Sequence, residues 1–272
     1  MGEVQREERD KAERLVGAGA EILGGLAGAA IGAVVAGPGG ALAGGAGGPL
    51  ATHGLRYVGE AAVEFARRRL GRREEVRVGG TLGFAALKIQ EHLAHGRQLR
   101  QDGFFDPGFD ERAAAGEVFE TVLLVAQREP QEKKLSYLGN LLANVAFDPH
   151  IDRTQAHQLI RLAERLSYRQ LCLLEILRRK GDFGITRDAT IGAAQGRGEE
   201  PSEARQAVMQ ELFDMCTQGV VQSYASLPNT PRDINLPDTF LLYGGKQLHR
   251  LMELESIGVP DLEGVAALLR SA

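Results

Sequence analysis

Glu91-His92-Leu93-Ala94-His95 sets two imidazoles three residues apart beside a carboxylate, and these are residue types that bind zinc. The zinc-protease order keeps its glutamate between the histidines. Here Glu91 precedes both, and no cysteine or further carboxylate cluster stands nearby. Gly244-Gly245-Lys246 has the ending of a phosphate-binding loop, but Phe240 stands where the leading glycine belongs and Gln247 where a magnesium-binding hydroxyl belongs. Gly37 and Gly39 begin a dinucleotide fingerprint that Leu42 breaks, and Gly17 and Gly19 begin one that Ile22 breaks. No serine occupies a nucleophile elbow. Cys172 and Cys216 lie within apolar helical patterns without a histidine partner, as reduced core residues do in a reducing compartment. His150 and His157 flank a helix start, where capping or solvation accounts for them. These residues predict no catalytic site, no metal site and no cofactor, so the chain is expected not to be an enzyme.

The elements around these residues carry a different signal. Between Glu21 and Arg56 the chain runs 34 residues without Asp, Glu, Lys or Arg, built mostly from glycine and alanine. Gly24, Gly28 and Gly32 fall on one helical face, a face that lets helices approach closely in lipid and self-associate. A basic block follows, with Arg56, Arg67, Arg68, Arg69, Arg72, Arg73 and Arg77. Arg67, Arg68, Arg69, Arg72 and Arg73 are the expected contacts to anionic headgroups, worth about 1 kcal/mol each near a charged surface. A solvated helix face is the plain alternative for such a run. Ile22–Ala36 as a helix reaches only about 22 Å at 1.5 Å per residue, short of the roughly 30 Å of a bilayer core. Spanning therefore needs extension back through Leu15–Ala20 or a two-pass hairpin using residues 39–55. A packed soluble hairpin or a linker is the competing reading.

Composition bounds the function class. The 272-residue chain is long enough for one large domain or two small ones, and its net charge of −4 gives no global footprint for nucleic acid. Residues 56–100 hold ten Lys/Arg against five Glu, a net +5, so the remainder is acidic. Residues 1–14 carry five carboxylates against four cations, which is the wrong flank for a secretory signal, and the apolar segment is expected to be retained. The expected location is the inner, cytoplasmic membrane with the C-terminal domain in the cytoplasm; the alternative is cytoplasmic.

The pattern predicts a mainly α fold. One helix is expected over 3–36, a second over about 50–70 ended by the arginine run, and a third over 81–101. Asp102–Phe109 is a turn cluster and the expected boundary between a membrane-active hairpin over 1–101 and a helical domain over 110–181. In that domain helices are expected from Asp110 to Gln127, from Pro130 with Leu135, Leu138, Leu141, Leu142 and Val145 inward, from a Thr154 cap to Arg165 with Ile160 and Leu162 buried, and from Ser167 with Leu171, Leu174, Ile176 and Leu177 buried. Short connections predict packed antiparallel helices.

Residues 182–272 predict a winged-helix-like module: a helix over 202–218, a strand through Tyr224, a Pro/Asn-rich loop, a return strand over 239–243, then a helix from Gly244. Residues 150–272 hold fourteen Lys/Arg and sixteen Asp/Glu, a net −2, and the helix from Ser202 carries Glu203, Glu211 and Asp214 against Arg205. Phosphate contact dominates DNA affinity, so this module is read as a protein-contact fold and not a DNA reader.

Leu138-Gly-Asn-Leu-Leu-Ala-Asn-Val-Ala-Phe-Asp148-Pro149, then Leu159-Ile-Arg-Leu-Ala163 and Leu166-Ser-Tyr-Arg-Gln-Leu-Cys-Leu-Leu-Glu-Ile-Leu177, resembles the layout of bacterial abortive-infection alpha-type proteins. The family's histidine-proline before the second helix is replaced by Pro149-His150. The resemblance covers residues 138–177 and implies a role in phage defence, with no catalytic residues to carry over. The function expected is a non-enzymatic membrane-associated protein that self-associates in or on the membrane. Its expected partners are anionic lipids, further copies of itself and an unidentified protein. The alternative is a soluble winged-helix regulator or adaptor with a Gly-rich packing hairpin.

Overall fold

The structure is a computed structural model that describes residues 65, 68, 70–107, 112–185, 202–223 and 228–270. The expected helices over 3–36 and 50–70 lie outside these residues except at 65, 68 and 70. The protein is mainly helical, with eight α-helices and one two-stranded antiparallel sheet among the described residues. It divides into two compact units, Met1–Glu164 and Arg165–Ala272.

The first unit is organised by α1 (Arg72–Ala94), α2 (Ala114–Arg128), α3 (Leu135–Val145) and α4 (Arg153–Arg165). Arg72 and Arg73 open α1, although the arginine run is expected to close a helix. The Glu74 carboxylate accepts the Gly71 N–H at 2.7 Å, and Glu74 and Glu75 in the first turn complement the positive helix end. The helix closes at Gly96, with φ at 77°, where Gly96 N donates to Leu93 O and Arg97 N to His92 O. So 95–101 lies outside the helix, with a turn at 95–96. α1 packs on α2 and α3 across the 102–107 turn expected to be a boundary, and the chain instead divides at Glu164/Arg165. The cause is a close crossing: a Cβ on Gly139 would lie 2.5 Å from Phe84 Cβ and 2.9 Å from Thr81 O.

The inward face expected for α3 is buried throughout, with Leu135, Leu138, Leu141, Leu142 and Val145 at most 1% exposed. α4 begins at Arg153, so its cap is Asp152 in place of Thr154. Asp152 Oδ1 accepts from Gln155 N at 2.8 Å and Gln155 Oε1 from Asp152 N at 3.1 Å. Ile160 is fully buried, whereas Leu162 is only half-buried. Glu117 pairs with Arg153, Thr121 approaches His157 and Arg128 pairs with Glu164, so α2 and α4 run parallel. Antiparallel order holds between chain neighbours and not between alternate helices.

The second unit contains α5 (Tyr168–Arg178), α6 (Glu203–Thr217), β1 (Val221–Gln222), β2 (Phe240–Leu241), α7 (Tyr243–Met252) and α8 (Val259–Arg270). The helix expected to start at Ser167 is α5, which Ser167 caps by accepting from Gln170 N, and every residue from Gln170 to Leu177 is buried. α5 is thus a central helix touched by α6, α7, α8 and β2. α6 starts at a Ser202 cap and stops at Gly219, φ 67°, with Val220 N donating to Met215 O. Val221 pairs with Leu241 and Gln222 with Phe240. The return strand is shorter than expected, because Tyr243 already belongs to α7. Gly245 lets α7 start against the Val220 carbonyl, 2.3 Å from where a Cβ would stand; that contact accounts for a glycine seen in sequence as part of a broken phosphate loop.

Candidate functional site

Gly24, Gly28, Gly32, Arg67 and Arg69 lie outside the described residues. Arg68, Arg72 and Arg73 are described, and they meet different surroundings. Arg68 Nη2 donates to Glu120 Oε1 at 2.6 Å and its guanidinium lies 4.2 Å over the Phe65 ring. Glu120 also accepts from Arg112 Nη1 at 2.5 Å; the Arg68 hydrogen bond first, and Arg112 after it, hold its carboxyl below the usual range. Arg73 is 82% exposed at its side chain, with a 3.5 Å contact to Glu132. Arg72 is exposed. Arg77 turns inward and donates to Gln127 O at 3.3 Å. Of this block, then, Arg72 and Arg73 face solvent, whereas Arg68 and Arg77 fasten the edge of α1 to α2.

The histidine pair separates. His92 is buried and its Nε2 donates to Asn144 Oδ1 at 2.6 Å. His95 is exposed, and its Nδ1 donates to Glu91 O at 2.7 Å. Arg97 Nη1 stands 3.1 Å from Nδ1 and 3.0 Å from Nε2 of His92. A nitrogen equidistant from both ring nitrogens is stacked on the imidazole and lies along neither lone pair. Phe147 completes the stack, edge-on to His92 at 4.9 Å and 5.2 Å beneath Arg97. Beside it, buried Arg100 donates to Ile151 O at 2.6 Å and Val145 O at 3.3 Å, and forks onto Asp102 at 2.8 and 2.5 Å. This cluster closes the C-terminal end of α3, satisfying a carbonyl that the helix leaves open. Its chemistry is that of a clamp.

Thr121, His157 and Glu117 have the order of a nucleophile, base and carboxylate, but not the geometry. Thr121 Oγ1 donates to Glu117 O at 2.7 Å, and His157 lies 3.5 Å from that hydroxyl and 3.7 Å from the Glu117 carboxylate. The hydroxyl proton is already engaged, and both histidine contacts exceed hydrogen-bond reach for proton transfer. Among the described residues no three His, Cys, Asp or Glu side chains are grouped to hold a metal ion.

Two buried ion pairs escaped sequence reasoning. Lys134, 1% exposed, pairs with Glu129. Glu175, fully buried in α5, accepts from His249 Nε2 of α7 at 2.5 Å and from Arg179 Nη1 at 3.1 Å. Burial pushes the Glu175 carboxyl up, and the His249 and Arg179 hydrogen bonds outweigh it, leaving its pKa below the ordinary 4.5. The available signal was a lone glutamate inside Leu171-Cys-Leu-Leu-Glu-Ile-Leu177, a run whose other members are all apolar. Neither cysteine is in a disulfide, both are buried, and burial raises the Cys216 thiol.

The second unit also carries the large apolar side chains most open to solvent among the described residues: Tyr243 at 58%, Phe240 at 43% and Val259 at 37%. Phe240 and Tyr243 flank the junction of β2 and α7, so the hairpin presents an aromatic corner rather than a cleft. No family model, curated protein or solved structure matches the chain.

Proposed function

We propose that the chain is a non-enzymatic, membrane-associated helical protein in which residues 22–55 contact the bilayer and the two compact units meet protein partners on the cytoplasmic side. The observation that carries this reading is the 34-residue uncharged Gly/Ala-rich run placed directly ahead of a basic block. Exposed Arg72 and Arg73 lie at the start of α1, available to anionic headgroups. No helix among the described residues is long and apolar enough to cross a membrane, so bilayer contact in this reading rests on residues 22–55. The glycine face of Gly24, Gly28 and Gly32 would draw several copies together. The resemblance of residues 138–177 to abortive-infection proteins supplies the process served, phage defence by regulated self-association.

Flotation with anionic vesicles tests it. The full chain is expected to rise with the lipid, the chain lacking residues 1–55 to stay below, and Gly28→Leu to reduce cross-linking between copies. Full-length protein that remains below the gradient, with or without anionic lipid, defeats the membrane reading.

The order α6, β1, β2, α7 favours a second reading, a winged-helix-like adaptor. On that account the Gly-rich segment is a packing hairpin, and protein stays in the soluble fraction even as Gly28→Leu. DNA is not its target: Glu203, Glu211 and Asp214 outnumber Arg205 on α6.

A further inference from the structure

Phe240 pairs with Gln222 in the sheet, and its neighbour Leu241 is 5% exposed, so the strand alternation turns the Phe240 ring outward. Tyr243, Lys246 and Arg250 follow at i, i+3 and i+7 of α7, share one helix face and are all exposed. Gly245, Leu248, Leu251 and Met252 are buried. Arg250 sends Nε and Nη2 to Gln247 Oε1 at 3.2 and 2.6 Å, which fixes its guanidinium plane. Between Phe240 and Met252 the exposed cations are Lys246 and Arg250 and the chain has not one carboxylate, while His249 is turned to Glu175 of α5. The unit around it, Arg165–Ala272, holds twelve Lys/Arg and fourteen Asp/Glu, a net −2. The aromatic corner therefore sits on a positive island bounded in sequence by Asp238 and Glu253.

We infer that this face docks a short acidic segment of a partner protein, with an apolar side chain of the partner on Phe240 and Tyr243 and carboxylates on Lys246 and Arg250. The inference rests on reading the second unit as a protein-contact module and names its partner chemistry. Lys246 and Arg250 are separated by about 6 Å of helix at 1.5 Å per residue, a spacing that carboxylates one helical turn apart match. Charge beyond about 8 Å is screened at physiological salt, so a segment with two or three carboxylates feels the island and little else. A nucleic acid or an anionic bilayer carries its charge past the island onto Asp238, Glu253 and Glu255, where it is repelled.

The probe is an array of labelled decapeptides bearing two or three Asp/Glu around one Leu or Phe, read against the full chain in vesicle-free buffer. The same peptides with Asn/Gln in place of the acids, and a twenty-nucleotide single-stranded DNA, complete the set. Saturable binding of acidic peptides is expected, weakened roughly ten-fold or more by Lys246→Glu and by Tyr243→Ala. Both positions are exposed, and unchanged circular dichroism shows that the variants fold. Amide peptides binding as tightly as acidic ones, or Lys246→Glu binding acidic peptides unchanged, overturns the assignment while leaving a protein-contact module. Tighter binding of the DNA, or dimerisation through Tyr243 that excludes every peptide, overturns it in favour of that other occupant. No saturable peptide binding overturns the assignment and the contact-module reading together, while vesicle flotation still reports on the membrane reading alone.

Discussion

In the unit Met1–Glu164 a close approach of α1 and α3 is made by the absence of a side chain, at Gly139. Thr81, whose carbonyl borders that crossing, has a buried hydroxyl without a hydrogen-bond partner. In Arg165–Ala272 the central helix is held across to α7 by the opposite means, a buried Glu175 whose two oxygens are taken by His249 and Arg179. One contact is held by shape and the other by charge. A shape contact is indifferent to pH and intolerant of a single methyl group. A buried charge contact accepts modest changes in volume but fails when one partner is removed or neutralised.

Removing the carboxylate should have the largest effect. Glu175→Ala leaves the half-buried His249 without its acceptor and Arg179 with Asp182 alone, and is expected to cost about 3–5 kcal/mol in denaturant unfolding. Glu175→Gln keeps the volume and isolates the charge. Because the folded pKa of Glu175 lies below its ordinary 4.5, its contribution is present above that ordinary value. It is lost as pH falls through the lowered folded value. Wild type should therefore lose stability into acid more steeply than Glu175→Gln. Equal slopes would mean that the charge contributes nothing and that the two units differ only in packing.

Gly139→Val probes the shape contact. A Cβ there meets Phe84 Cβ at 2.5 Å, Thr81 O at 2.9 Å and Ala85 N at 3.0 Å. Two of these are backbone atoms, which cannot turn away, so α1 and α3 must separate. A loss of about 3 kcal/mol is expected, with amide exchange accelerated in α1 and α3 and untouched in α5 and α7. The loss should be the same at pH 7 and pH 4.

Thr81→Val asks whether polarity matters at all in that crossing. The Thr81 hydroxyl is fully buried and unpartnered, and an unsatisfied polar group costs about 1–3 kcal/mol. Replacing it with a methyl of similar size is expected to raise stability by roughly 1 kcal/mol. A loss instead would show that the hydroxyl does have a partner in solution, and the contrast with Glu175 would shrink.

These two contacts also mark how far the sequence could be read. The apolar spacing of Leu135, Leu138, Leu141, Leu142 and Val145 locates the inner face of α3, because one helical period suffices to define it. The helix starts at Ser167 and Ser202, which prove to be local caps, were equally visible. The start of α1 was not. Gly79, Gly80 and Gly83 weaken intrinsic helix preference by about 1 kcal/mol each, and the arginines before them suggested a surface collar. The compensation is tertiary, from small residues admitting α3, and tertiary packing leaves no periodic mark at 72–77. Glu175 and His249 are 74 residues apart, so no spacing rule joins them.

The smallest expected effect is a gain, and it separates two uses of glycine that look alike in sequence. Gly264 lies inside α8 and a Cβ added there meets nothing within 4 Å, whereas at Gly139 and Gly245 it meets backbone. An exposed helix-interior glycine costs about 0.5–1 kcal/mol relative to alanine through the freedom it lends the unfolded chain. Gly264→Ala should therefore stabilise the protein by about that amount, measured as a shift in denaturation midpoint at unchanged slope. Gly139→Ala and Gly245→Ala, the same substitution in other helices, should both lower it. If all three moved the midpoint in one direction, close approach would not be what distinguishes these glycines, and the account of the α1–α3 crossing would lose its basis.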